Sequence, residues 1–446
     1  MTAEAATADK GRPRLGPRPL PVHLATATMT WLGSRNALPF SSNGSPVWRR
    51  ELWRPEFHTA LADIEGALQG AETKAFAGAL DRAIEDRFRR LVTGIEAYRR
   101  HPYRRTLTEP PTLWQEGTTR LLDYRAPADA SGAVVLVVPS LINRACILDL
   151  TPERSLLRAL AAGGIRPLLV DWGEPGPEER AFGLTDYIAG RLDRALDAAI
   201  AKAGGPVVLL GYCMGGLLAL SLALRRQRDL AGLVCLATPW DFHAERASQA
   251  KLLGATVAAL EPMLTSLGEL PVDAIQTLFA GVDPIQVVRK FVGFADLDPT
   301  SSRAELFVAV EDWLNDGVPL IAPVARECLG GWYGANTPGR NEWLAAGKAV
   351  RPAELDLPSL VVIPDHDRIV PPAGALALAA ALPRAEELRP AAGHIGMIVS
   401  GNAPERLYRP LADWLLRFAR KAPRRSARTR LSAVGTPPML QRKPKT

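Results

Sequence analysis

Gly211-Tyr212-Cys213-Met214-Gly215-Gly216 follows the apolar run Pro206-Val207-Val208-Leu209-Leu210 and precedes Leu217-Leu218-Ala219-Leu220-Ser221-Leu222-Ala223-Leu224. The first run reads as a short buried strand and the last as a helix, so the glycine-rich stretch between them is a strand-to-helix turn. Such a turn is strained, and Gly211, Gly215 and Gly216 are the small residues that let the new helix pack closely on neighbouring strands. The pattern is that of a nucleophile elbow with cysteine in the place usually held by serine. Cys213 then stands at the positive end of a helix, where negative charge is favoured. A buried cysteine acting as a small hydrophobe is the competing reading, and the surrounding G-x-C-x-G-G context favours the nucleophile.

Outward from the elbow, strands and helices alternate. Arg120 to Tyr124 reads as an edge strand, Ala133 to Val138 as a continuous apolar strand, and Glu153 to Ala162 as a helix closed by Gly163-Gly164. Pro167 to Asp171 is a further strand, Thr185 to Lys202 a helix, and Gly232 to Ala237 the strand that follows the elbow helix. Fully apolar strands alternating with helices indicate a mostly parallel sheet covered on both faces, an α/β fold. Between Pro239 and about Leu355 the alternation stops, and helical segments such as Lys251 to Ser266 and Ser302 to Asn315 follow without buried strands between them. An insertion of this size after a sheet strand is most simply a helical cap. The sheet resumes with Leu360-Val361-Val362-Ile363, a helix from about Ala373, a short strand near Glu387-Leu388 and a last helix from about Pro404 to Phe418.

Upstream, Leu80, Ile84, Phe88, Leu91, Ile95 and Tyr98 recur at steps of three or four and form one helical stripe, expected to dock on the main domain rather than on a partner. The chain thus divides into a flexible N-terminal arm over 1–45, a helical region over 46–112, a core over 113–238, a helical cap over 239–355, the rest of the core over 356–419 and a basic disordered tail over 420–446.

Composition narrows the classes of function. With 446 residues and 47% of them hydrophobic, a large core is within reach. No apolar run reaches membrane-spanning length and Met1 to Leu20 has no apolar signal core, so the cytoplasm is the expected location. Cys146, Cys213, Cys235 and Cys328 are widely spaced and suggest neither a zinc site nor a disulfide framework. The formal charge of +7 is carried by a tail: residues 420–446 hold nine Lys or Arg and no Asp or Glu, which leaves the remainder near −2. A solvated extension accounts for that tail better than nucleic-acid binding does.

A thiol nucleophile needs a base, and the base needs an orienting acid. Of the six histidines (His23, His58, His101, His243, His366 and His394), only His394 follows the last expected strand, in Gly393-His394-Ile395-Gly396. The acid is expected after the preceding strand, in Pro364-Asp365-His366-Asp367-Arg368-Ile369-Val370-Pro371. That order of nucleophile, acid and base is the one α/β-hydrolases use. Asp367 fits a D-x-[IV]-V-P acid turn, Asp365 is read as capping it, His366 as facing solvent, and His243 as bordering the pocket. Two backbone N–H groups should receive the oxyanion, that of Met214 after the nucleophile and that of Leu141 in the loop Pro139 to Arg144.

From about Leu113 to Phe418 the chain resembles the polyhydroxyalkanoate synthases, most closely the short-chain-length type whose catalytic subunit works with a second subunit. The resemblance rests on Asn143-Arg144, Ile147 to Leu156, Val170-Asp171-Trp172-Gly173, Thr185-Asp186-Tyr187-Ile188, the elbow, Thr238 to Phe242, the D-R-I-V-P-P turn and Gly393 to Gly401. It departs from that family at Ala145-Cys146, where an aromatic residue is usual, and at Met214, where glutamine is common. The resemblance implies an α/β-hydrolase fold, Cys213 as the acyl-carrying thiol, His394 as base, Asp367 as its partner, and (R)-3-hydroxyacyl-CoA as substrate. Coenzyme A enters only as part of that substrate, and no metal or bound cofactor is called for. A second synthase subunit or a second copy of the chain, and a polyester granule surface, are the partners it admits. A cysteine-dependent thioesterase or depolymerase on the same fold is the alternative activity, and a non-catalytic granule-associated relative the third reading.

Overall fold

A computed structural model describes residues 13–42, 72–125 and 133–419, with helical turns at 58–59, 62–63 and 66–67. Eight strands form one sheet: β1 (Thr112–Glu116), β2 (Thr119–Asp123), β3 (Ala133–Val138), β4 (Ile165–Asp171), β5 (Val207–Tyr212), β6 (Leu230–Leu236), β7 (Ser359–Val362) and β8 (Ala385–Leu388). Their order in space is β1-β2-β4-β3-β5-β6-β7-β8. Only β1 against β2 and β2 against β4 are antiparallel; β4, β3, β5, β6, β7 and β8 run parallel. Central strands such as β5, with all six residues buried, have no polar face because helices cover both sides. The elbow strand lies mid-sheet, so its C-terminal end opens on a crevice flanked by the loops after β3, β6 and β7.

In chain order the helices are α1 (Leu20–Ser42), α2 (Thr73–Arg100), α3 (Leu156–Ala162), α4 (Asp193–Ala203), α5 (Met214–Arg225), α6 (Ala247–Leu267), α7 (Val272–Ala280), α8 (Gln286–Phe294), α9 (Ser302–Asn315), α10 (Ala322–Arg326), α11 (Pro372–Ala381), α12 (Gly396–Val399) and α13 (Arg409–Ala419). Ser155 caps α3 by accepting from the Arg158 N–H at 3.0 Å, and Ser301 caps α9 by accepting from Ala304 at 3.2 Å. Wide-turn π segments precede α4 (Asp186–Leu192), follow α10 (Glu327–Gly334) and precede α13 (Pro404–Tyr408). Helices α6 to α10 come between β6 and β7, the interval expected to form the cap.

The apolar stripe of α2 docks within the chain. Ile84, Leu91, Ile95 and Tyr98 are buried with Val288, Phe291 and Phe294 of α8 and with Ala304 and Val308 of α9. The flexible arm expected over 1–45 is instead helical from Leu20 to Ser42, with Ala27 and Trp31 buried in the same cluster. The α1 sequence mixes apolar residues with His23, Thr26, Thr28, Thr30, Ser34 and Arg35 at no helical period and contains Pro21, Gly33 and Pro39, so no periodic stripe marked it. Packing decides its state: Trp31 meets Phe88 edge-on at 4.7 Å, and Arg14, just upstream, bonds Asp312 at 2.6 Å. Strand β1, which sequence reading missed, takes the edge position assigned to the 120–124 segment. The basic tail over 420–446 lies outside the described residues. Among the described residues no helix is long and apolar enough to cross a membrane.

Candidate active site

Cys213 stands between the end of β5 and the start of α5 with φ 55° and ψ −125°. A non-glycine residue held there costs of the order of 1–3 kcal/mol, so its surroundings must fix it. Its N–H donates to the Leu236 carbonyl at 2.8 Å, which ties the turn to β6. The next turn permits no side chains: a Cβ on Gly215 would collide with the Val138 carbonyl, and one on Gly216 with the Thr238 hydroxyl. Close approach of α5 to β3 and to the loop after β6 therefore requires glycine at both positions.

Behind the thiol, the His394 Nδ1–H donates to Asp367 Oδ2 at 2.6 Å, between side chains 7% and 0% exposed. The other carboxylate oxygen of Asp367 accepts from the Ile369 and Val370 N–H groups, both at 2.8 Å. The turn after β7 thus spends two backbone donors on one aspartate and aims the carboxylate at the ring. Asp365 stands apart: Arg389 donates to it at 2.8 Å on the surface. With Nδ1 committed, Nε2 is the nitrogen left for Cys213. Burial opposes a charge on His394, yet the charge of Cys213 and hydrogen bonds to Asp367 and Cys213 outweigh it and push the imidazole pKa up to about 10.

Tyr212 holds the ring from beneath. Its ring stacks on His394 at 5.3 Å, and its hydroxyl donates to the His394 carbonyl at 3.3 Å. Sequence reading assigned Tyr212 no role, because the second position of the elbow motif carries no residue requirement. The other three cysteines are unsuited to nucleophilic work: burial raises the Cys146 thiol to about 11 and the Cys235 thiol to about 12, and drives Cys328 well up.

The loop after β6 joins the core to the cap through Asp241, His243 and Asn336. Asp241 Oδ1 accepts from the His243 N–H and from Asn336 Nδ2, both at 2.8 Å, while Asn336 Oδ1 accepts from the Phe242 N–H at 3.0 Å. Asn336 is buried with φ 54°, a conformation its short amide tolerates. His243 Nε2–H donates to the Tyr333 carbonyl at 2.8 Å, so this histidine borders the site and braces the cap. Burial first, then the charge of Cys213, pushes the Tyr333 phenol pKa up. Neither Tyr333 nor Asn336 was marked by a motif, since each lies more than a hundred residues from Cys213 in sequence.

Leu141 and Met214, the expected oxyanion donors, are both buried and belong to the same large core cluster. The loop after β3 that carries Leu141 is tight: the Ile142 N–H donates to the Ser140 hydroxyl at 3.1 Å, and Asn143 has φ 64°. His366 is exposed and separate from the ring of His394. Thus the structure brings Cys213, His394 and Asp367 together and leaves Asp365 and His366 outside.

A cavity of about 350 Å³ lies under the cap beside these residues; Ile142, Phe242, Tyr333 and Val370 line it, while Cys213 and His394 do not.

Residues 149–410 match the alpha/beta hydrolase family. The poly(3-hydroxyalkanoate) polymerase subunit PhaC of Haloferax mediterranei is 28% identical over 312 residues, 69% of this chain and 63% of that protein. The chain therefore spans less than two thirds of that relative's length. The polymerase subunit PhaC of Allochromatium vinosum is 29% identical over 313 residues, 68% of this chain and 87% of its own. Among solved structures, the thioesterase domain from the curacin biosynthetic pathway covers 70% of this chain and 100% of its own at 16% identity and a TM-score of 0.43.

Proposed function

The chain belongs to the alpha/beta hydrolase family and is related within it to the polyhydroxyalkanoate synthases, and from that premise we propose that it is an acyltransferase that joins (R)-3-hydroxyacyl units from coenzyme A into polyester. The observation that carries this reading is a cysteine, not a serine, at the elbow in front of a buried His394–Asp367 pair. Attack of a thiolate on a thioester gives another thioester, so the acyl group stays activated for transfer to a hydroxyl. A serine would trap it as a less reactive ester.

Cys213 Sγ attacks the carbonyl carbon of the hydroxyacyl thioester, and the carbonyl oxygen takes the negative charge, received by the Met214 and Leu141 N–H groups. Collapse breaks the bond to the coenzyme A sulfur, which leaves with the proton held on His394 Nε2. Next, Nε2 takes the proton of the β-hydroxyl of another unit, whose oxygen attacks the acyl carbon on Cys213. An ester bond forms, the Cys213 thiolate is released, and His394 is again protonated. Asp367 holds the ring and offsets its positive charge throughout. Coenzyme A arrives with the substrate, and the chemistry asks for no metal or further cofactor. In this reading the protein works in the cytoplasm at the surface of its polyester product, with a second synthase subunit or a second copy as partner.

The test is incubation of the purified chain with (R)-3-hydroxybutyryl-CoA, following coenzyme A release and the fate of the acyl group. Release with insoluble polyester is the expected result. Release with free acid alone assigns the protein to the cysteine hydrolases instead, and no release overturns the enzymatic reading.

A further inference from the structure

Two buried indoles end on one loop. Trp172, in the turn after β4, donates from Nε1 to the Pro139 carbonyl at 3.1 Å. Trp313, near the end of α9, donates from Nε1 to the Arg144 carbonyl at 2.7 Å. Pro139 and Arg144 are the first and last residues of the loop after β3, the one that carries Leu141. An indole is a donor only, on a flat ring with few rotatable bonds, so each of these bonds fixes a carbonyl against a rigid body. The two bodies are different parts of the molecule. Trp172 meets Tyr187 edge-on at 5.4 Å, whereas Trp313 is buried with Ile147 and Leu148. The Arg144 guanidinium reaches toward both, bonding Asp316 just past α9 at 2.7 Å and standing 3.7 Å from Glu174, two residues after Trp172.

The near end of the loop is also set against the nucleophile turn. A Cβ on Gly215 would lie 2.6 Å from the Pro139 carbonyl oxygen, so that oxygen sits between the Trp172 N–H and the first turn of α5. The far end follows α9, which is itself held from the other side. Ala304 and Val308 are buried in the cluster that α2 and α8 share, and Asp312 accepts from Arg14 at 2.6 Å and from the Tyr98 hydroxyl at 2.9 Å. A donor aimed at a developing oxyanion is worth most when it is already in place, and a displacement of about half an ångström forfeits much of its effect.

We propose that Trp172 and Trp313 are positioning residues, whose N–H groups clamp the two ends of the 139–144 loop and so keep the Leu141 N–H on the oxyanion that forms at Cys213. Through Trp313, a helix of the interval between β6 and β7 takes part in that support, and through Asp312 so does the N-terminal region. The inference rests on the acyltransferase reading and on Leu141 as one of its two donors.

Trp313→Phe and Trp172→Phe each keep an aromatic ring and remove the donor. Losing an oxyanion donor outright costs about 100- to 1000-fold in turnover, so a loosened one should lower kcat for coenzyme A release from (R)-3-hydroxybutyryl-CoA about 10- to 100-fold. KM should stay within about threefold, because the interaction is made in the transition state. Alkylation of Cys213 by iodoacetamide displaces iodide from a saturated carbon and forms no oxyanion. Followed at that residue by peptide mass spectrometry, its rate should stay within about twofold of wild type, since it reads only the thiolate. A folded variant in which alkylation falls as far as acyl transfer, or in which neither changes, would overturn the clamp and leave the acyltransferase reading intact. If one variant fails to fold, the other decides. No coenzyme A release from the wild-type protein would overturn that reading and the clamp together.

Discussion

Around Cys213 and Asp367 the backbone itself is fitted: glycines touch carbonyls, and two N–H groups are spent on one carboxylate. Above them the cap presents interchangeable hydrocarbon around an open volume of about 350 Å³. The floor depends on hydrogen bonds and strained dihedrals, which tolerate no substitution. The roof depends on apolar contact, which tolerates many. Positional exactness is concentrated where bonds are expected to be made and broken, and adaptability in the cap.

The two aspartates of the acid turn offer the largest effect by which to break this contrast. Asp367→Asn should lower kcat by roughly 10⁴-fold, as for an acid that orients a catalytic histidine. Asp365→Asn, whose partner is a surface arginine, should stay within about threefold. Steady-state kinetics with the same acyl-CoA decide it, and equal losses would show that carboxylate burial is not what matters. Cys213→Ala should abolish the one-acyl mass increment seen by intact mass spectrometry after incubation with substrate.

Asn336 joins floor to roof, and its loss should be felt in stability before chemistry. Asn336→Ala removes the bonds to Asp241 and Phe242, and should cost about 1–3 kcal/mol, read as a lower urea midpoint at unchanged slope. An unchanged midpoint would mean that the cap is held by its apolar contacts alone.

The smallest expected effect is a linkage between pH and stability. His394 has its pKa raised from 6.5 to about 10. Its contribution is therefore fully present below pH 6.5 and is lost as pH rises through about 10. Between those limits the wild-type melting temperature should fall more steeply than that of His394→Gln. Ring titration by NMR gives a sharper reading: Cys213→Ala removes the largest raising influence, so the His394 pKa should drop. A ring that titrates the same in both proteins would separate the thiol from the imidazole.

Much of the fold was legible because its signals are local. Helix α9 occurs at the span read from sequence, Ser302–Asn315, and β3 at Ala133–Val138, since a capping serine and an unbroken apolar run mark their ends. The elbow was legible through its glycines. Helix α1 was not, because polar and apolar residues mixed without periodicity declare neither face, and its order comes from α2 and α8, far away in the chain. Tyr212, Tyr333 and Asn336 were missed for a related reason: their roles lie in stacking, a carbonyl that anchors His243 and a latch, none of which leaves a spacing in the sequence.

Sequence alone determined the α/β architecture and marked the thiol, carboxylate and imidazole in their chain order, because strand periodicity and tight turns are written in neighbouring residues. It also favoured Asp367 over Asp365 through the turn that follows. Only tertiary structure decided that Asp367 is sealed against His394 while Asp365 faces an exposed arginine, and that cap helices and core loops together line an apolar space. Burial and enclosure arise from segments distant along the chain packing together, and no local pattern encodes the distance between them.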